Sequence, residues 1–272
     1  MGEIINPKPF VKWAGGKRQI IDILLENSPD TFGTYIEPFI GGGALLFALM
    51  PENAIISDIN SELIIAYKTI KTHVNKLIKS LSKHKNEKEY FYAIRAKKAY
   101  RSDIIKTSRF IYLNKTCFNG LYRENSKGEF NVPFGEYERP NIVDKENLFT
   151  VSVYLNSANV KILNQDFRKV LLNARERDFV YLDPPYHPLN NTSSFTKYTR
   201  EDFNKHDQEE LSDIYSKLDK RGCYVMLSNS NTKFIKQLYK GYKIQEINAN
   251  RFINCRAEKR VKMPFEVIVK NW

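Results

Sequence analysis

The sequence predicts an α/β fold in which a parallel sheet is covered by helices on both faces and is interrupted by an inserted helical subdomain. Short apolar runs typical of buried strands alternate with helical runs in residues 1–60 and 160–272. Residues 61–159, in contrast, are helical and basic and contain no obvious buried strand. We therefore expect 1–60 and 160–272 to form the sheet domain and 61–159 to form the inserted subdomain.

The first region, up to about residue 60, predicts a helix, a strand, a glycine turn, a second helix and a second strand. Residues 34–38 lead into the glycines at 41–43, and the apolar run 44–50 predicts a helix. Residues 54–57 predict a short buried strand that ends at Asp58. This order places the glycines in a loop between a strand and a helix, and it places Asp58 at the end of the next strand.

The remaining regions follow from the same patterns. Within the basic region, residues 117–137 are polar and contain glycine, which favours an irregular segment. After it, we predict helices at 166–172 and 201–218 and a further helix between the last predicted strands. Those strands are 160–163, 179–182, 223–228, 242–247 and 266–269.

Positive charge is concentrated in one part of the chain. The net charge is +12, and residues 68–109 contain 13 Lys and Arg against three acidic residues. A solvated helical face, or a lysine-rich composition from an AT-biased genome, would also explain a surplus of this kind. Aromatic residues, Asn and Arg follow at 110–123, which favours a nucleic-acid surface.

Several classes of protein are disfavoured. No apolar run is long enough to span a bilayer, and the first ten residues lack the apolar stretch of a signal peptide. Cys117, Cys223 and Cys255 are odd in number and far apart, which predicts a reducing cytoplasm without a disulfide framework or a zinc site. The four histidines show no metal-ligand spacing, so we expect no metal.

The glycine turn indicates a nucleoside cofactor. Glycines at 41 and 43 let the backbone turn sharply and approach a ligand beside a helix N-terminus. Asp58 lies where a carboxylate can accept hydrogen bonds from both ribose hydroxyls. A tight structural turn is the simpler alternative. A phosphate-binding loop is disfavoured because no Gly-Lys-Ser/Thr follows.

The tetrapeptide Asp-Pro-Pro-Tyr at 183–186 indicates chemistry on an exocyclic amino group. Such a nitrogen is a poor nucleophile because its lone pair is delocalised into the ring. The Asp183 carboxylate and the Pro184 carbonyl can accept its two hydrogens and direct the lone pair at an electrophilic methyl group. Tyr186 offers a face on which a flipped-out base can stack. The alternative is a proline-stiffened strand exit with a surface tyrosine.

Taken together, these motifs resemble the alpha-group N6-adenine DNA methyltransferases, and especially the Dam and DpnII-type methylases. The matching segments, in order, are KWAGGK at 12–17, FIGGG at 39–43, SDIN at 57–60, FNGLYR at 118–123, GEFNVPFG at 128–135 and DPPY at 183–186. The resemblance covers nearly the whole chain. It implies a mostly parallel seven-stranded sheet with its last strand reversed and a DNA-recognition role for residues 61–159.

The resemblance also implies S-adenosylmethionine as the cofactor, double-stranded DNA containing GATC as the substrate, and a restriction endonuclease as a possible partner. It implies three groups of site residues. The catalytic group is Asp183, Pro184 and Tyr186. The cofactor group is Trp13, Lys17, Phe39, Gly41, Gly43, Asp58, Asp166, Phe167 and Asp183. The DNA-recognition group is Lys12, Asn119, Leu121, Arg123, Pro133 and Tyr137.

Simpler roles remain open for some of these residues. Trp13 is also a candidate core aromatic, Lys17 a surface charge and Asp166 a helix cap. Arg123 has Glu124 and Glu129 nearby as candidate ion-pair partners. Two other functions also remain open: an amino-methyltransferase acting on cytosine N4, RNA or protein glutamine, and a DNA-binding module that has lost catalysis. The sequence gives no prediction of oligomeric state.

Overall fold

A computed structural model describes residues 6–125, 127–188, 203–247 and 266–272 of the chain. These residues form a seven-stranded sheet. The strands are β1 (Tyr35–Glu37), β2 (Asn53–Ser57), β3 (Asn159–Leu163), β4 (Phe179–Leu182), β5 (Tyr224–Ser230), β6 (Lys243–Ile247) and β7 (Glu266–Lys270).

Helices and two 3₁₀ turns connect the strands. The helices in the described part of the chain are α1 (Ile21–Glu26), α2 (Ala44–Leu49), α3 (Ser61–Leu81), α4 (Lys88–Ala96), α5 (Asp103–Thr116), α6 (Lys145–Ser157), α7 (Phe167–Leu171), α8 (Lys205–Lys220) and α9 (Lys233–Leu238). The 3₁₀ turns are Lys17–Ile20 and Phe118–Gly120. None of these helices is long and apolar enough to span a membrane.

The strand order is β3-β2-β1-β4-β5-β7-β6. The first five strands run parallel, and β7 lies antiparallel to both of its neighbours, β5 and β6. This confirms the prediction of a mostly parallel sheet with its last strand reversed. The chain moves outward from β1 to β3 and then returns to the other side of β1 with β4. Ligands in open α/β sheets bind at the carboxyl ends of the strands beside such a reversal.

Both faces of the sheet are buried, which explains why its central strands read as continuous apolar runs. Along β4, Phe179 and Tyr181 face one apolar cluster, and Val180 and Leu182 face the other. The first cluster continues without a break into residues 61–159, where α3 packs against α5 and α6. The helical segment therefore shares its hydrophobic core with the sheet.

Most predicted elements are confirmed to within two residues. The predicted strand at 223–228 in fact ends at Ser230, because polar residues continue it inside the protein. The predicted helix at 201–218 begins in residues outside the described ranges. Its described part, α8, starts after Asn204, whose side chain and that of Asp207 form a reciprocal capping box.

Residues 117–137, called the 117–137 segment below, form two isolated antiparallel bridges in their described part. Cys117 pairs with Phe134, and Glu124 pairs with Phe130. The chain therefore runs out from α5 and returns beside its own start, which agrees with the prediction of an irregular polar segment.

Candidate active site

The glycine turn follows β1 and is held against the end of β2. Ile40 N–H donates to the Ser57 carbonyl at 2.9 Å, and Gly43 N–H donates to the Ile40 carbonyl at 2.8 Å. Gly41 and Gly43 have φ of 48° and 72°, a left-handed conformation that favours glycine. A Cβ on Gly41 would lie 2.7 Å from Cδ1 of Trp13. Two structural reasons thus require glycine at position 41.

Asp58 ties the end of β2 to this turn. One carboxylate oxygen accepts a hydrogen bond from Gly41 N–H at 3.1 Å, and the other accepts from Asn60 N–H at 2.9 Å. Burial raises the pKa of Asp58 to about 6, and the hydrogen bonds from Asn60, Gly41 and Ile59 oppose that rise. Each oxygen retains acceptor capacity for a ligand hydroxyl.

Lys17 and Asp183 meet between the N-terminal segment and the end of β4. Lys17 is only 4% exposed, and its Nζ lies 2.9 Å from Oδ2 of Asp183. The same ammonium donates to the Gly15 carbonyl and lies 4.8 Å from the centre of the Tyr186 ring. Burial raises the pKa of Asp183 to about 6, although Lys17 acts to lower it. The simpler alternative for Lys17, a surface charge, is therefore wrong.

Two glutamates that sequence reasoning missed flank this pair. Glu266, the first residue of β7, accepts a hydrogen bond from the Tyr186 hydroxyl at 3.1 Å. Glu37, the last residue of β1, is 3% exposed and accepts from the Tyr35 hydroxyl at 2.8 Å. Burial holds the pKa of Glu37 well above its usual range. A charged residue at the end of an apolar strand was a usable signal for Glu37, whereas Glu266 carries no local signal.

The electrostatic consequence is a site suited to cations. Asp183 raises the pKa of Glu37 electrostatically, as Asp58 does to a smaller degree, and Glu266 raises the pKa of Asp183. Carboxyls that repel one another in this way favour a ligand with positive charge, which would lower all of their pKa values. Lys17 lowers the pKa values of Glu37 and Asp183 but leaves both raised, so the carboxyls favour a positively charged ligand over a phosphate.

Phe39, Asp166 and Phe167 lie together on the other side of the glycine turn. The Phe39 and Phe167 rings are 5.3 Å apart, and both pack near Phe203. Asp166 caps α7 by accepting from Arg168 N–H at 2.9 Å and also pairs with the Arg168 guanidinium at 2.9 Å. The capping role considered as an alternative is thus present. A second role in cofactor binding remains a prediction.

Lys12 connects the N-terminal segment to the 117–137 segment. Its backbone exchanges two hydrogen bonds of 2.8 Å with the Asn114 side chain. Its Nζ lies 5.3 Å from the centre of the Tyr137 ring, and a Cβ on Gly120 would lie 2.3 Å from its Cδ. Gly120 lies between the predicted recognition residues Asn119 and Leu121. Lys12 therefore lies beside these two residues as well as beside Tyr137.

The other predicted recognition residues lie on the same segment. Asn119, Arg123 and Pro133 are exposed, whereas Leu121 is half-buried. Arg123 Nε donates to the Asn131 carboxamide at 2.9 Å. Its two acidic neighbours are engaged elsewhere: Glu129 pairs with Lys98, and Glu124 accepts from Tyr122. The ion pairs considered for Arg123 are therefore not the contacts that the structure shows.

Trp13 is held between the two predicted functional regions. Its ring stacks on Tyr122 at 5.2 Å and an interplanar angle of 23°, and its edge lies against Gly41. Tyr122 lies between the predicted recognition residues Leu121 and Arg123. Trp13 is thus half-buried between the glycine turn and the 117–137 segment, so both the core role and the site role remain compatible with its position.

Several residues of the basic region have structural contacts instead of facing solvent. Arg109 is 8% exposed and donates to the Ile94 and Arg95 carbonyls. Arg95 donates to the Val132 carbonyl at 3.0 Å, and Lys71 donates to a carbonyl of β3 at 3.0 Å. Part of the charge surplus therefore holds elements together, and further lysines of the region, such as Lys98 and Lys106, pair with glutamates.

No group of three potential metal ligands is placed to hold an ion among the residues that the structure describes. Cys117 and Cys223 are buried free thiols, whose pKa values burial raises to about 12 and about 11. Cys255 lies outside the described ranges.

Comparison with known proteins agrees with this geometry. A family model described as D12 class N6 adenine-specific DNA methyltransferase matches residues 13–253. Type II methyltransferase M.MjaIII of Methanocaldococcus jannaschii is 47% identical, with coverage of 97% of this chain and 99% of that protein. Type II methyltransferase M1.LlaDCHI of Lactococcus lactis is 44% identical, with coverage of 98% and 96%. DNA adenine methylase of Haemophilus influenzae is 34% identical, with coverage of 95% and 92%.

Proposed function

The chain belongs to the D12 class of N6 adenine-specific DNA methyltransferases, and we propose that it transfers the methyl group of S-adenosylmethionine to N6 of the adenine in GATC. The observation that carries this proposal is the half-buried Asp183 carboxylate at the carboxyl end of β4, paired with the buried Lys17 ammonium and directly before two prolines and Tyr186. The family assignment supports DNA as the substrate and adenine as the methylated base. The cofactor and the recognition sequence are the further steps of the proposal.

The residues around the glycine turn fit S-adenosylmethionine. The turn packs so closely on Trp13 that position 41 requires glycine, and Asp58 beside it presents acceptor oxygens suited to ribose hydroxyls. The nearby carboxyls favour the positive charge of a sulfonium and an ammonium group. Asp166 and Phe167 would hold the adenine ring of the cofactor, and Trp13 and Lys17 would complete the cofactor site. When bound, the cofactor supplies an electrophilic methyl group.

The chain's own residues prepare the target nitrogen. Asp183 and the Pro184 carbonyl accept hydrogen bonds from the two N6 hydrogens, which directs the nitrogen lone pair out of the ring plane. The Tyr186 ring, anchored through its hydroxyl to Glu266, offers a stacking face to the flipped adenine. Asp183 has a pKa of about 6 and is therefore suited to take the proton that N6 loses as the N–C bond forms.

Recognition of DNA is assigned to the 117–137 segment together with Lys12. Lysines and arginines of the basic region that remain exposed would bind phosphates, and this binding carries no sequence information. Arg123 is exposed and held by Asn131, so its guanidinium can form paired hydrogen bonds with a guanine edge. Asn119, Leu121, Pro133 and Tyr137 would contact the remaining bases of GATC.

We also propose a cytoplasmic enzyme that works beside a restriction endonuclease. Two relatives of high identity carry the name type II methyltransferase, and their similarity covers nearly all of each chain. A methylase of this kind protects DNA from a nuclease that cuts the same sequence. Buried free thiols at Cys117 and Cys223 agree with a reducing compartment.

The test is transfer of a labelled methyl group from S-adenosylmethionine to two duplexes that differ only in whether they contain GATC. We expect label on the GATC duplex and N6-methyladenine after digestion to nucleosides. Label on both duplexes would refute the recognition sequence and leave the chemistry intact. Methylcytosine in place of N6-methyladenine would refute the target.

A further inference from the structure

Three consecutive polar residues at the carboxyl end of β5 are completely buried. Ser228, Asn229 and Ser230 are each 0% exposed. Buried polar groups reduce stability unless they are hydrogen-bonded, so a run of three calls for a specific set of partners. In the parallel pairing of β4 and β5, Leu182 lies opposite Leu227. The polar run therefore continues beside the Asp-Pro-Pro-Tyr segment that follows β4.

Ser228 bonds to the Tyr181 hydroxyl of β4 at 2.9 Å, whereas Asn229 and Ser230 bond to the backbone of His187, directly after the Asp-Pro-Pro-Tyr segment. The Asn229 carboxamide oxygen accepts from His187 N–H at 3.2 Å, and the Ser230 hydroxyl donates to the His187 carbonyl at 2.6 Å. The Asn229 carboxamide nitrogen donates to Gln208 Oε1 at 3.0 Å. Gln208, on α8 and 1% exposed, donates in turn to the Pro185 carbonyl at 2.8 Å.

These contacts constrain the torsions that the prolines leave free. Pro184 and Pro185 fix their own φ angles but not ψ. The bond from Gln208 fixes the peptide plane between Pro185 and Tyr186. The bonds from Asn229 and Ser230 fix the two peptide planes on either side of His187. Tyr186 is thus anchored before and after its Cα, while Glu266 anchors its hydroxyl.

We propose that Gln208, Asn229 and Ser230, here called the amide clamp, are positioning residues for methyl transfer. The clamp rests on the proposed function, because it acts through the Pro184 carbonyl and the Tyr186 ring. Its side chains bond to one another and to the backbone on either side of Tyr186, so its effect on the reaction is indirect. It keeps one hydrogen-bond acceptor and the stacking face aligned with Asp183. Preorganised acceptors contribute to rate because no reorganisation is needed at the moment of reaction.

The direction of the hydrogen bonds determines which substitutions should break the clamp. Gln208 accepts from Asn229 and donates to Pro185, so a donor is required at its Nε2 position. Gln208→Glu has nearly the same volume but places a carboxylate oxygen against the Pro185 carbonyl oxygen. Gln208→Met removes the donor without adding charge. Asn229→Asp keeps the acceptor for His187 N–H and loses the donor to Gln208, whereas Asn229→Leu loses both.

The experiment measures the single-turnover rate of methyl transfer to a GATC duplex, together with the affinities for S-adenosylhomocysteine and DNA. We expect both Gln208 variants to lose about ten- to a hundredfold in rate, the range caused by small misplacements of catalytic groups. Both affinities and the circular dichroism spectrum should stay as in the wild type. Asn229→Asp should retain more of the rate than Asn229→Leu. Gln237→Glu, an exposed glutamine on α9, is the matched control.

A 2-aminopurine base at the target position adds a readout that a general loss of folding would not imitate. Its fluorescence should still rise on binding to Gln208→Met, because the base still enters the pocket. Wild-type rates in both Gln208 variants would overturn the clamp. A parallel fall in rate and in both affinities would also overturn it, by showing a general structural role. Failure of the proposed function is distinct, since the wild-type protein would then leave GATC unmethylated.

Discussion

The Lys17 ammonium lies 2.9 Å from the Asp183 carboxylate and 4.8 Å from the centre of the Tyr186 ring. One cation thus contacts both ends of the Asp-Pro-Pro-Tyr segment. Lys17 is buried and Asp183 half-buried, so removing either partner leaves the other ion without its counter-charge. The pair therefore makes the ionisation of Asp183 depend on the N-terminal segment, which lies far from it in sequence.

Asp183→Ala should abolish methyl transfer and leave DNA binding largely intact. The substitution removes an acceptor for the target amine, but none of the residues predicted to contact GATC or phosphate. Single-turnover transfer and fluorescence-anisotropy titration with the GATC duplex measure the two properties. Asp213→Ala, an exposed position on α8, serves as the control. Substantial turnover in Asp183→Ala would show that another group holds the amine.

The pH dependence of kcat/KM should show an acidic limb near pH 6. Burial raises the pKa of Asp183 to about 6, so its carboxylate form, which accepts from N6, is lost as the pH falls through that value. Because Lys17 acts to lower this pKa, Lys17→Met should move the limb to higher pH. Asp58 titrates in the same range, so the profile is repeated with Asp58→Asn. A limb unmoved by Lys17→Met would contradict the electrostatic link.

Asp58→Ala should weaken cofactor binding without changing the DNA sequence that is methylated. Hydrogen bonds to a charged group contribute about 1.5–3 kcal/mol each, so loss of ribose contacts should lower affinity by at least roughly tenfold. Calorimetry with S-adenosylhomocysteine measures the effect, and Asp213→Ala is again the control. Site preference is measured on single-base variants of GATC. Unchanged affinity would remove the ribose assignment.

Arg123→Ala should lower kcat/KM on GATC by the equivalent of about 1–3 kcal/mol and should relax discrimination at one base pair. An exposed lysine of the basic region, such as Lys83, should behave differently: Lys83→Ala should weaken binding to all DNA alike and reduce the salt slope by about one unit. The comparison uses kcat/KM on GATC and its single-base variants at two salt concentrations. An equal loss on every substrate would make Arg123 a phosphate contact.

The sequence predicted the parts of the site that lie at strand ends, since a buried apolar run locates the strand and the next polar residue marks its exit. Asp58 and Asp183 were found in this way. The contact between Tyr186 and Glu266 could not be predicted from local pattern, because 80 positions separate them and Glu266 begins a reversed strand. The clamp residue Asn229 was missed for a different reason: it is a polar residue inside a strand.

The basic region shows a further limit of composition. A count of charges does not distinguish Arg109, which is buried and bonded to two carbonyls, from an exposed lysine such as Lys83. A guanidinium can satisfy buried carbonyls from several segments at once, so some arginines act as internal connections. The prediction of a DNA surface therefore depends on which of these residues remain exposed, and only the fold shows that.

The position of β7 between β5 and β6 has a consequence for the nascent chain. On the ribosome, β6 emerges before β7 but cannot join the sheet until residues 266–270 have been synthesised and inserted beside β5. Pairings between strands distant in sequence also form slowly. Glu266, which anchors Tyr186, arrives in the same step. This edge of the sheet is therefore completed late, and a polypeptide that ends before Glu266 lacks the hydrogen bond that anchors Tyr186.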